Sequence, residues 1–329
     1  MVHPSPTRAT PVVLSLAPAE GPVSVRSVTI EVPATSANVG PGFDCVGLAL
    51  GLSNRIKVEV LPGTSCEIDI QGQGRDELSR GPDNLVLVAM RHLYAKAGRE
   101  LPAVRLEQRN AIPLCSGLGS SAAAEISGLV AANELLGRPF TQRQLCLVAL
   151  ELEDHPDNIV PALCGGLCVA IAQHGAGGWD LDYVRLEPPS ELTAVIASPN
   201  LRIETVESRR RLPNSYSRTD AVYNTARASL LVAALVARDW EALACALEDR
   251  FHQPYRLPHI RGAQATLDAA KEAGAIGAVL SGSGPTLMAL CTGDGAAVAQ
   301  AMEQTWRAAG VEVHVTPTRL SAAGARAVA

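Results

Sequence analysis

A glycine- and serine-rich stretch at residues 112–124 constrains the fold more than any other part of this chain. Gly117 and Gly119 have no Cβ atom, so the backbone can turn sharply there and approach a ligand closely. Ser120 and Ser121 lead into a run of good helix formers that starts at Ala122. The stretch therefore predicts a loop that enters the first turn of a helix, where free backbone amides and the positive end of the helix dipole favour a phosphate group.

The same residues are also typical of a tight turn that caps an alanine-rich core helix, because anion loops and ordinary caps share their chemistry. The stretch is not a Walker A loop, since the lysine of that pattern is missing, and it is not a G-x-G-x-x-G loop. A cation that accompanies the phosphate must therefore come from a metal ion or from elsewhere in the chain. The hydroxyl of Ser121 is one candidate ligand for Mg²⁺.

The composition is that of a globular chain without a nucleic-acid or membrane partner. Its 329 residues suffice for two domains of roughly 100–200 residues each. A net charge of −5 without a basic stripe argues against nucleic acid, and no apolar run approaches the ~18 residues of a membrane span. Residues 1–26 are rich in Pro, Ser and Ala and lack the pattern of a signal peptide, so we expect a disordered tail or a start site assigned too early.

The eight cysteines are scattered and form no C-x-x-C pattern. This usage indicates reduced, buried thiols in a protein of the cytoplasm. Cys164 and Cys168 are predicted to be core residues rather than metal ligands, because no second pair of ligands lies near them in the sequence.

The order of predicted elements favours an α+β fold with mixed strand pairing, because strands come first and a helix, a strand, the glycine loop and a second helix follow. Thr141 is a plausible N-cap for a helix over 141–152, which runs into a polar segment at 151–158. A boundary near residue 178 divides the chain into domains at 27–178 and 179–329. Strands are predicted at 27–32, 48–52, 54–61, 66–70, 104–108, 193–197, 277–280, 287–291 and 311–316, and further helices at 84–97, 220–238, 240–251, 260–273 and 296–310.

Three separated motifs carry a resemblance to a known family: PATSANVGPGFD at 33–44, SGLGSSAA at 116–123 and LSGSGPT at 280–286. Together they resemble the small-molecule kinases that include galactokinase, homoserine kinase, mevalonate kinase and phosphomevalonate kinase. The first motif, with the HPDN segment at 155–158, resembles the homoserine kinases in particular. The resemblance covers residues 28–316.

This resemblance implies an N-terminal domain like that of ribosomal protein S5 and a C-terminal ferredoxin-like domain, with the active site between them. It also implies ATP, Mg²⁺ and L-homoserine as ligands, and O-phospho-L-homoserine as a product on the route to threonine. The motif at 280–286 is expected to support the phosphate loop from the second domain, although an ordinary β-turn between strands has the same composition.

Homoserine carries an ammonium, a carboxylate and a hydroxyl, and the matching motifs supply partners for each. Asp44 is expected to bind the ammonium, and the forks of Arg209 and Arg256 are suited to the carboxylate. Taken singly, each arginine is more typical of a surface charge. Arg210 and Arg211 adjoin the first of them and are expected to be solvated.

The resemblance assigns further contacts to the substrate and to ATP. Asn38 and Thr205 match the family's other polar substrate residues, and Asn84 matches its adenine-side asparagine. The residues expected to bind ATP in the glycine loop are Pro113, Leu114, Cys115, Ser116, Gly117, Leu118, Gly119, Ser120, Ser121, Ala122 and Ala123.

The metal and the chemical step complete the expectation. Ser121 and Glu153 are the expected Mg²⁺ ligands, with Glu151 as a second choice for the carboxylate. The position where related kinases carry a basic aspartate is Asn158, which is no base at neutral pH. The hypothesis is therefore direct attack of the homoserine hydroxyl on the γ-phosphate, with Asn158 and His155 orienting the substrate.

Other functions remain open at this point. A mevalonate-pathway kinase and a catalytically silent ligand sensor on the same fold both fit the glycine loop. A purely structural domain would need all three glycine-rich loops to be ordinary turns. The chain is a possible homodimer.

Overall fold

Two sheets and the helices packed on them form the structure, a computed structural model that describes residues 26–329. The N-terminal tail expected at 1–26 thus lies almost wholly outside the described residues. The strands are β1 (Ser27–Ala37), β2 (Val46–Val60), β3 (Glu67–Gly72), β4 (Val104–Asn110), β5 (Leu167–Gly175), β6 (Gly178–Leu186), β7 (Leu192–Pro199), β8 (Gly277–Leu280), β9 (Leu287–Thr292), β10 (Val313–Arg319) and β11 (Arg326–Val328). The helices are α1 (Leu85–Lys96), α2 (Ser120–Leu135), α3 (Gln142–Leu150), α4 (Pro156–Cys164), α5 (Thr205–Arg210), α6 (Arg218–Ala237), α7 (Trp240–Ala246), α8 (Gln253–Arg256), α9 (Ala263–Glu272) and α10 (Ala296–Ala308).

The first sheet has the order β11-β1-β2-β4-β3, and β5 and β6 extend it from the other half of β2. β3 and β4 are parallel and the other pairs are antiparallel, which confirms the mixed pairing. β2 is one continuous strand where the sequence predicted two. A register shift opposite Pro33 and Thr35 lets it continue, since proline has no amide to offer the ladder.

The second sheet, in the order β10-β7-β9-β8, is antiparallel throughout and carries α9 and α10. Its core contains Leu280, Met302 and a completely buried Trp306, whose indole nitrogen donates to the carbonyl of Arg261 at 2.9 Å. Helices α2 and α4 pack on β1 and β2 of the first sheet. The predicted α+β class with two domains is confirmed.

Two strands from beyond the predicted domain division at residue 178, β6 and β11, belong to the first sheet. β6 pairs with β5, so the first sheet continues to Leu186, and β11 returns from the C-terminus to pair with β1. The division at residue 178 stays a prediction. The β1–β11 pairing joins segments far apart in the sequence, so no local pattern indicates it. β5 and β6 instead form a hairpin around Ala176 and Gly177, in the segment where the sequence predicted a domain boundary.

The segment that precedes α4 is positioned by the ends of two helices. Thr141 caps α3 through a capping box with Gln144, as predicted. α3 ends at Leu150, and α4 begins after His155 with Pro156 in its first position, where the missing amide costs nothing. Residues 151–155 thus form a short connection whose side chains are directed by helices on both sides.

The cysteines are all free thiols, as predicted. Burial was expected for all of them, but Cys115 and Cys245 are exposed. Cys115 lies in the glycine loop with a positive φ, and Cys245 lies on the outer face of α7. Cys164 and Cys168 are buried in the core. Within residues 26–329, no helix is long and apolar enough to cross a bilayer.

Replacement of Trp306 by alanine should destabilise the second domain by about 3–5 kcal/mol, because it leaves a large cavity in the core under β7–β9. Urea unfolding followed by circular dichroism measures this change. The control is Val236→Ala at a position that is 63% exposed, which we expect to change stability by less than about 0.5 kcal/mol. Equal effects of the two substitutions would contradict the core position of Trp306.

Candidate active site

The three glycine-rich motifs meet at one cavity of about 130 Å³ between the two halves of the chain. The loop after β1, the glycine loop before α2 and the turn between β8 and β9 all contribute to its wall. The predicted substrate, catalytic and metal residues that line this cavity are Asn38, Asp44, Ser121, Glu153, His155, Asn158, Thr205, Arg209 and Arg256.

The glycine loop takes a backbone conformation that few other residues could adopt. Gly117 and Gly119 have φ angles of 82° and 66°, and Gly119 is the N-cap residue of α2. A Cβ atom at Gly117 would lie 2.2 Å from the carbonyl oxygen of Ser281. The loop therefore lies directly against the β8–β9 turn and leads into a helix N-terminus at the cavity.

Three carbonyl groups of this loop accept hydrogen bonds from other parts of the chain. They are the carbonyls of Ser116, Gly117 and Leu118, which accept hydrogen bonds from Thr286 N at 3.1 Å, Ser281 Oγ at 2.7 Å and Thr35 N at 3.1 Å. The predicted support from residues 281–286 is borne out by two of these bonds. Each trans peptide group holds its N–H opposite its C=O, so the amides of residues 117–119 point away from these partners. Together with the unpaired amides of the first turn of α2, they are available as donors for an anion in the cavity.

Opposite the loop, Asp44 and Arg209 form a bidentate ion pair. Arg209 Nη1 and Nη2 each donate to one carboxylate oxygen of Asp44 at 2.9 Å. Both side chains are about four-tenths exposed, so water and small ligands reach them. Arg211 pairs instead with Glu207 at 2.5 Å, which leaves Arg209 as the arginine of this group that reaches the cavity wall.

Arg256 lies on the same wall but is buried. Its Nη1 donates to the carbonyl of Gly282 at 3.1 Å, and its Nε has no hydrogen-bond partner among residues 26–329. Burial lowers the pKa of Arg256 to about 10, and the positive charge of Arg209 acts in the same direction. The side chain therefore still carries its positive charge at neutral pH, in the wall of the cavity. The ring of Phe43 lies between both arginines, at 5.6 Å from the Arg209 guanidinium and 5.5 Å from that of Arg256.

Asn38 and Thr205 hold the neighbouring loops. Asn38 accepts from the amide of Asp44 at 3.0 Å and donates to the carbonyl of Gly282 at 3.1 Å, so it joins the first and third motifs. The hydroxyl of Thr205 lies 3.4 Å from that of Ser283. Both side chains shape the wall through contacts within the protein.

Of the two glutamates considered for a metal, one lies at the cavity. Burial raises the pKa of the Glu153 carboxyl above the ordinary value, and the nearby hydroxyl of Ser121 acts in the opposite direction. Glu151 points away and pairs with Lys96 at 2.7 Å and His92 at 2.9 Å. No group of three or more His, Cys, Asp or Glu residues in the described part of the chain could hold a metal. A carboxylate and a hydroxyl fit Mg²⁺, which takes most of its ligands from phosphate oxygens and water in such sites.

The start of α4 carries the remaining groups. Asn158 Oδ1 accepts a hydrogen bond of 2.7 Å from the Thr35 hydroxyl. His155 Nδ1 lies 3.1 Å from Asp154 Oδ1 and 3.8 Å from Glu153 Oε1. Asp157, to which the sequence assigned no role, is 2% exposed with Oδ1 unpartnered in the described chain.

The environment of Asp157 favours its neutral form. Burial raises the pKa of its carboxyl to about 8, and the carboxylates of Asp44 and Glu153 add to this shift. Its position in the HPDN segment was visible in the sequence, but its burial next to other acids depends on how α4 packs.

A second, mostly apolar cavity of about 230 Å³ adjoins the loop on its other side and shares Cys115, Ser120 and Ser121 with the first. Asn84 lines it, with Oδ1 accepting from Val86 N at 3.1 Å and from Gln108 Nε2 at 2.9 Å. Asn84 Nδ2 donates to the carbonyl of Ser79 at 2.8 Å, so its polar atoms are bound within the protein.

The other residues expected to bind ATP occupy three kinds of position. Leu114 lines the second cavity, whereas Pro113 lies at a neighbouring cavity of about 350 Å³. Leu118, Ala122 and Ala123 are buried beneath the loop, so they can contribute only their backbone to a ligand.

Comparison with known proteins decides the family. The models of the GHMP kinases N terminal domain and the GHMP kinases C terminal domain match residues 84–166 and 231–308. A homoserine kinase of a Synechococcus species is 44% identical over 298 residues, which cover 90% of this chain and 96% of the relative. The chain belongs to the homoserine kinase family. The expected enzyme class, an ATP-dependent small-molecule kinase, is confirmed.

Solved structures agree with this family. The crystal structure of homoserine kinase from Cytophaga hutchinsonii matches with a TM-score of 0.84 and 30% identity, covering 93% of this chain and 98% of the other. The L. major mevalonate kinase has the same fold, with a TM-score of 0.65 and 15% identity over 94% of this chain and all of the other. The fold is thus shared more widely than the homoserine kinase sequence.

In this homoserine kinase family member, Gly117→Ala should weaken ATP binding by at least about ten-fold, because its Cβ would push the loop away from Ser281. Calorimetric titration with a non-hydrolysable ATP analogue measures the affinity. The matched control is Gly137→Ala, where φ is also positive at 85° but no atom lies within 4 Å of the new Cβ. It should cost about 1 kcal/mol of stability and leave the affinity unchanged. A similar loss of affinity in both variants would contradict the role given to the loop contact.

The raised pKa of Asp157 predicts that stability falls as the pH rises. The folded chain keeps a proton up to about pH 8 that the unfolded chain releases near the ordinary pKa of 3.8. This contribution to the free energy of unfolding is complete below about pH 4 and is lost towards pH 8, by at most about 1.4 kcal/mol per pH unit. Asp157→Asn removes the titration, so urea unfolding should show a smaller loss for this variant than for the native chain between pH 6 and pH 8. Parallel pH profiles would show that Asp157 is not held neutral.

Proposed function

We propose that this chain transfers the γ-phosphoryl group of ATP to the hydroxyl of L-homoserine, giving O-phospho-L-homoserine. The observation that carries the proposal is the bidentate pair of Asp44 and Arg209 beside Arg256, in the lining of the same cavity as the start of α2. An amino-acid site and a phosphate site thus share one cavity. The names of the 44% identical relative and of the Cytophaga structure agree with this substrate.

A zwitterion suits this wall because it replaces each partner of the ion pair by a group of the same charge. Its carboxylate takes the place of Asp44 on the Arg209 fork, and its ammonium takes the place of the guanidinium on Asp44. No unpaired charge is buried in the exchange. The guanidinium of Arg256 on the same cavity supplies a further donor to the carboxylate.

The phosphates of ATP would lie at the start of α2, and its adenine in the apolar cavity beside Asn84. Ser121 and Glu153 would hold Mg²⁺, which neutralises charge on the phosphates when bound. The amides of the glycine loop stabilise negative charge on the transferring group. Dependence on Mg²⁺, a homodimer and a place in the cytoplasm stay predictions.

The reaction needs positioning more than a strong base. Phosphoryl transfer passes through a loose transition state, so the hydroxyl can attack with little loss of its proton beforehand. Asn158 cannot take that proton, and Asp157 keeps its own at neutral pH because its pKa is about 8. In the proposed step, Asn158 and His155 orient the hydroxyl towards the γ-phosphate. The new O–P bond forms as the bond from the γ-phosphorus to the bridging oxygen breaks, ADP leaves, and the hydroxyl proton passes to an oxygen of the transferred phosphoryl group.

Two alternatives fit the site less well. A mevalonate-pathway substrate has no ammonium, so it would leave the carboxylate of Asp44 without its partner. A catalytically silent sensor has no need for the hydroxyl–carboxylate contact between Ser121 and Glu153 beside the glycine loop.

A coupled assay of ADP release with homoserine, serine, threonine and mevalonate tests the function. We expect kcat/KM to be highest for homoserine. Asp44→Asn should lower kcat/KM for homoserine by about 10–100-fold, because a charge-assisted hydrogen bond to the substrate is lost. The KM for ATP should stay unchanged. The control is Asp220→Asn, which breaks a similarly exposed ion pair with Arg250 and should have no effect. Faster turnover of mevalonate, or binding of ATP and homoserine without ADP release, would refute the proposal.

A further inference from the structure

A single buried threonine joins two of the elements that meet at the cavity. Thr35 lies on β1 and is completely buried. Its hydroxyl donates to Asn158 Oδ1 at 2.7 Å, across 123 residues of sequence, and its amide donates to the carbonyl of Leu118 at 3.1 Å. One residue thus contacts both the glycine loop and the start of α4.

The contact is close because Gly119 has no side chain. A Cβ atom at Gly119 would lie 2.0 Å from Thr35 Oγ1 and 3.0 Å from Asn158 Oδ1. The hydroxyl, the amide oxygen and the backbone of the loop therefore occupy one small volume. A change in the position of any one of them must displace the others.

The hydrogen bond determines which end of the Asn158 amide faces the ligands. Because Oδ1 accepts from Thr35, the donor Nδ2 is the other end of the amide, on a half-buried side chain that lines the cavity. Asn158 is part of the cavity wall that faces the loop. A donor there can bind a phosphate oxygen or a lone pair of the substrate hydroxyl, whereas a carbonyl oxygen would repel the phosphate oxygen and could bind the hydroxyl only through its proton.

We propose that Thr35 is a positioning residue for phosphoryl transfer: its hydroxyl holds the Asn158 amide with Nδ2 towards the reacting groups and ties that orientation to the glycine loop. This inference rests on the proposed function, in which Asn158 orients the attacking hydroxyl. Thr35 itself touches no ligand, so all of its effect on the rate passes through Asn158.

The test compares the kinetics of Thr35→Val, Thr35→Ser, Asn158→Ala and the double variant Thr35→Val/Asn158→Ala. Valine keeps the shape and removes the hydroxyl, so kcat should fall about ten-fold while the KM values for ATP and homoserine change less than about two-fold. Serine restores the hydroxyl and should recover most of kcat. In the Asn158→Ala background, the valine substitution should change kcat by less than about two-fold.

A matched control separates this effect from the ordinary cost of losing a buried threonine hydroxyl. Thr266 is completely buried in α9, and its hydroxyl donates to the carbonyl of Gly262 at 2.9 Å. Thr266→Val should leave kcat unchanged. The proposal is wrong if Thr35→Val keeps full kcat, if serine fails to rescue it, or if the valine substitution lowers kcat equally in the Asn158→Ala background.

A spectroscopic readout stays informative whatever the substrate is. The Asn158 side-chain amide, assigned by its loss in Asn158→Ala, should give a sharp nitrogen–proton signal in the native chain and in Thr35→Ser. The signal should shift and broaden in Thr35→Val, because the amide is then free to rotate. An unchanged signal would overturn the positioning role, whereas absence of ADP release by the native chain with homoserine would overturn only the proposed function.

Discussion

Hydrogen bonds from the second half of the chain to the carbonyls of the glycine loop are the constraint on which the site depends. The hydroxyl of Ser281 donates to Gly117 O at 2.7 Å and shares a hydrogen bond of 2.9 Å with the hydroxyl of Ser36. The amide of Thr286 holds the carbonyl of Ser116. A peptide group whose oxygen is bound behind the loop must leave the following N–H on the other side, so these contacts direct the loop amides towards the cavity. Neither half of the chain could form this anion site alone.

The charges around the cavity are arranged to keep it from repelling a triphosphate. Burial raises the pKa of Asp157 and of Glu125 to about 8 each, so both carboxyls are largely neutral at pH 7. Asp44 is compensated by Arg209. Glu153 remains as the carboxylate next to Ser121, where a cation would offset both it and the phosphates. Burial in the apolar interior thus keeps these carboxyl groups neutral close to the place where the proposed ligand carries its negative charge.

The parts of this structure that depend on local chemistry could be predicted from the sequence. The glycine loop, the cap at Thr141 and most helices follow from glycine, capping and periodicity rules, and three motifs sufficed to indicate the family. The β1–β11 pair could not be predicted, because its partners are chosen by packing over a long sequence distance. The β5–β6 hairpin is local, but the sequence predicted a domain boundary, rather than a turn between strands, at its glycine-rich turn at 175–178.

The site residues also divide into those that residue type and motif indicate and those that depend on packing. Asp44, Arg209 and Arg256 could be selected by residue type and motif, and they do lie on one wall. The hydrogen bond from Thr35 to Asn158 and the burial of Asp157 depend on how β1 and α4 pack. No local sequence pattern indicates either of them. Glu153 was already preferred to Glu151 from the sequence, and the end of α3 at Leu150 leaves Glu153 at the cavity while Glu151 pairs elsewhere.

The central claim is that one amino-acid substrate separates Asp44 from Arg209 while the start of α2 binds the phosphates. A crystal structure of the chain with homoserine and a non-hydrolysable ATP analogue tests it most directly. We expect the carboxylate on Arg209 and Arg256, the ammonium on Asp44, and phosphate oxygens at about 3 Å from the amides of residues 119–121. A complex in which Arg209 stays paired with Asp44, or in which the phosphates lie away from α2, would contradict the claim.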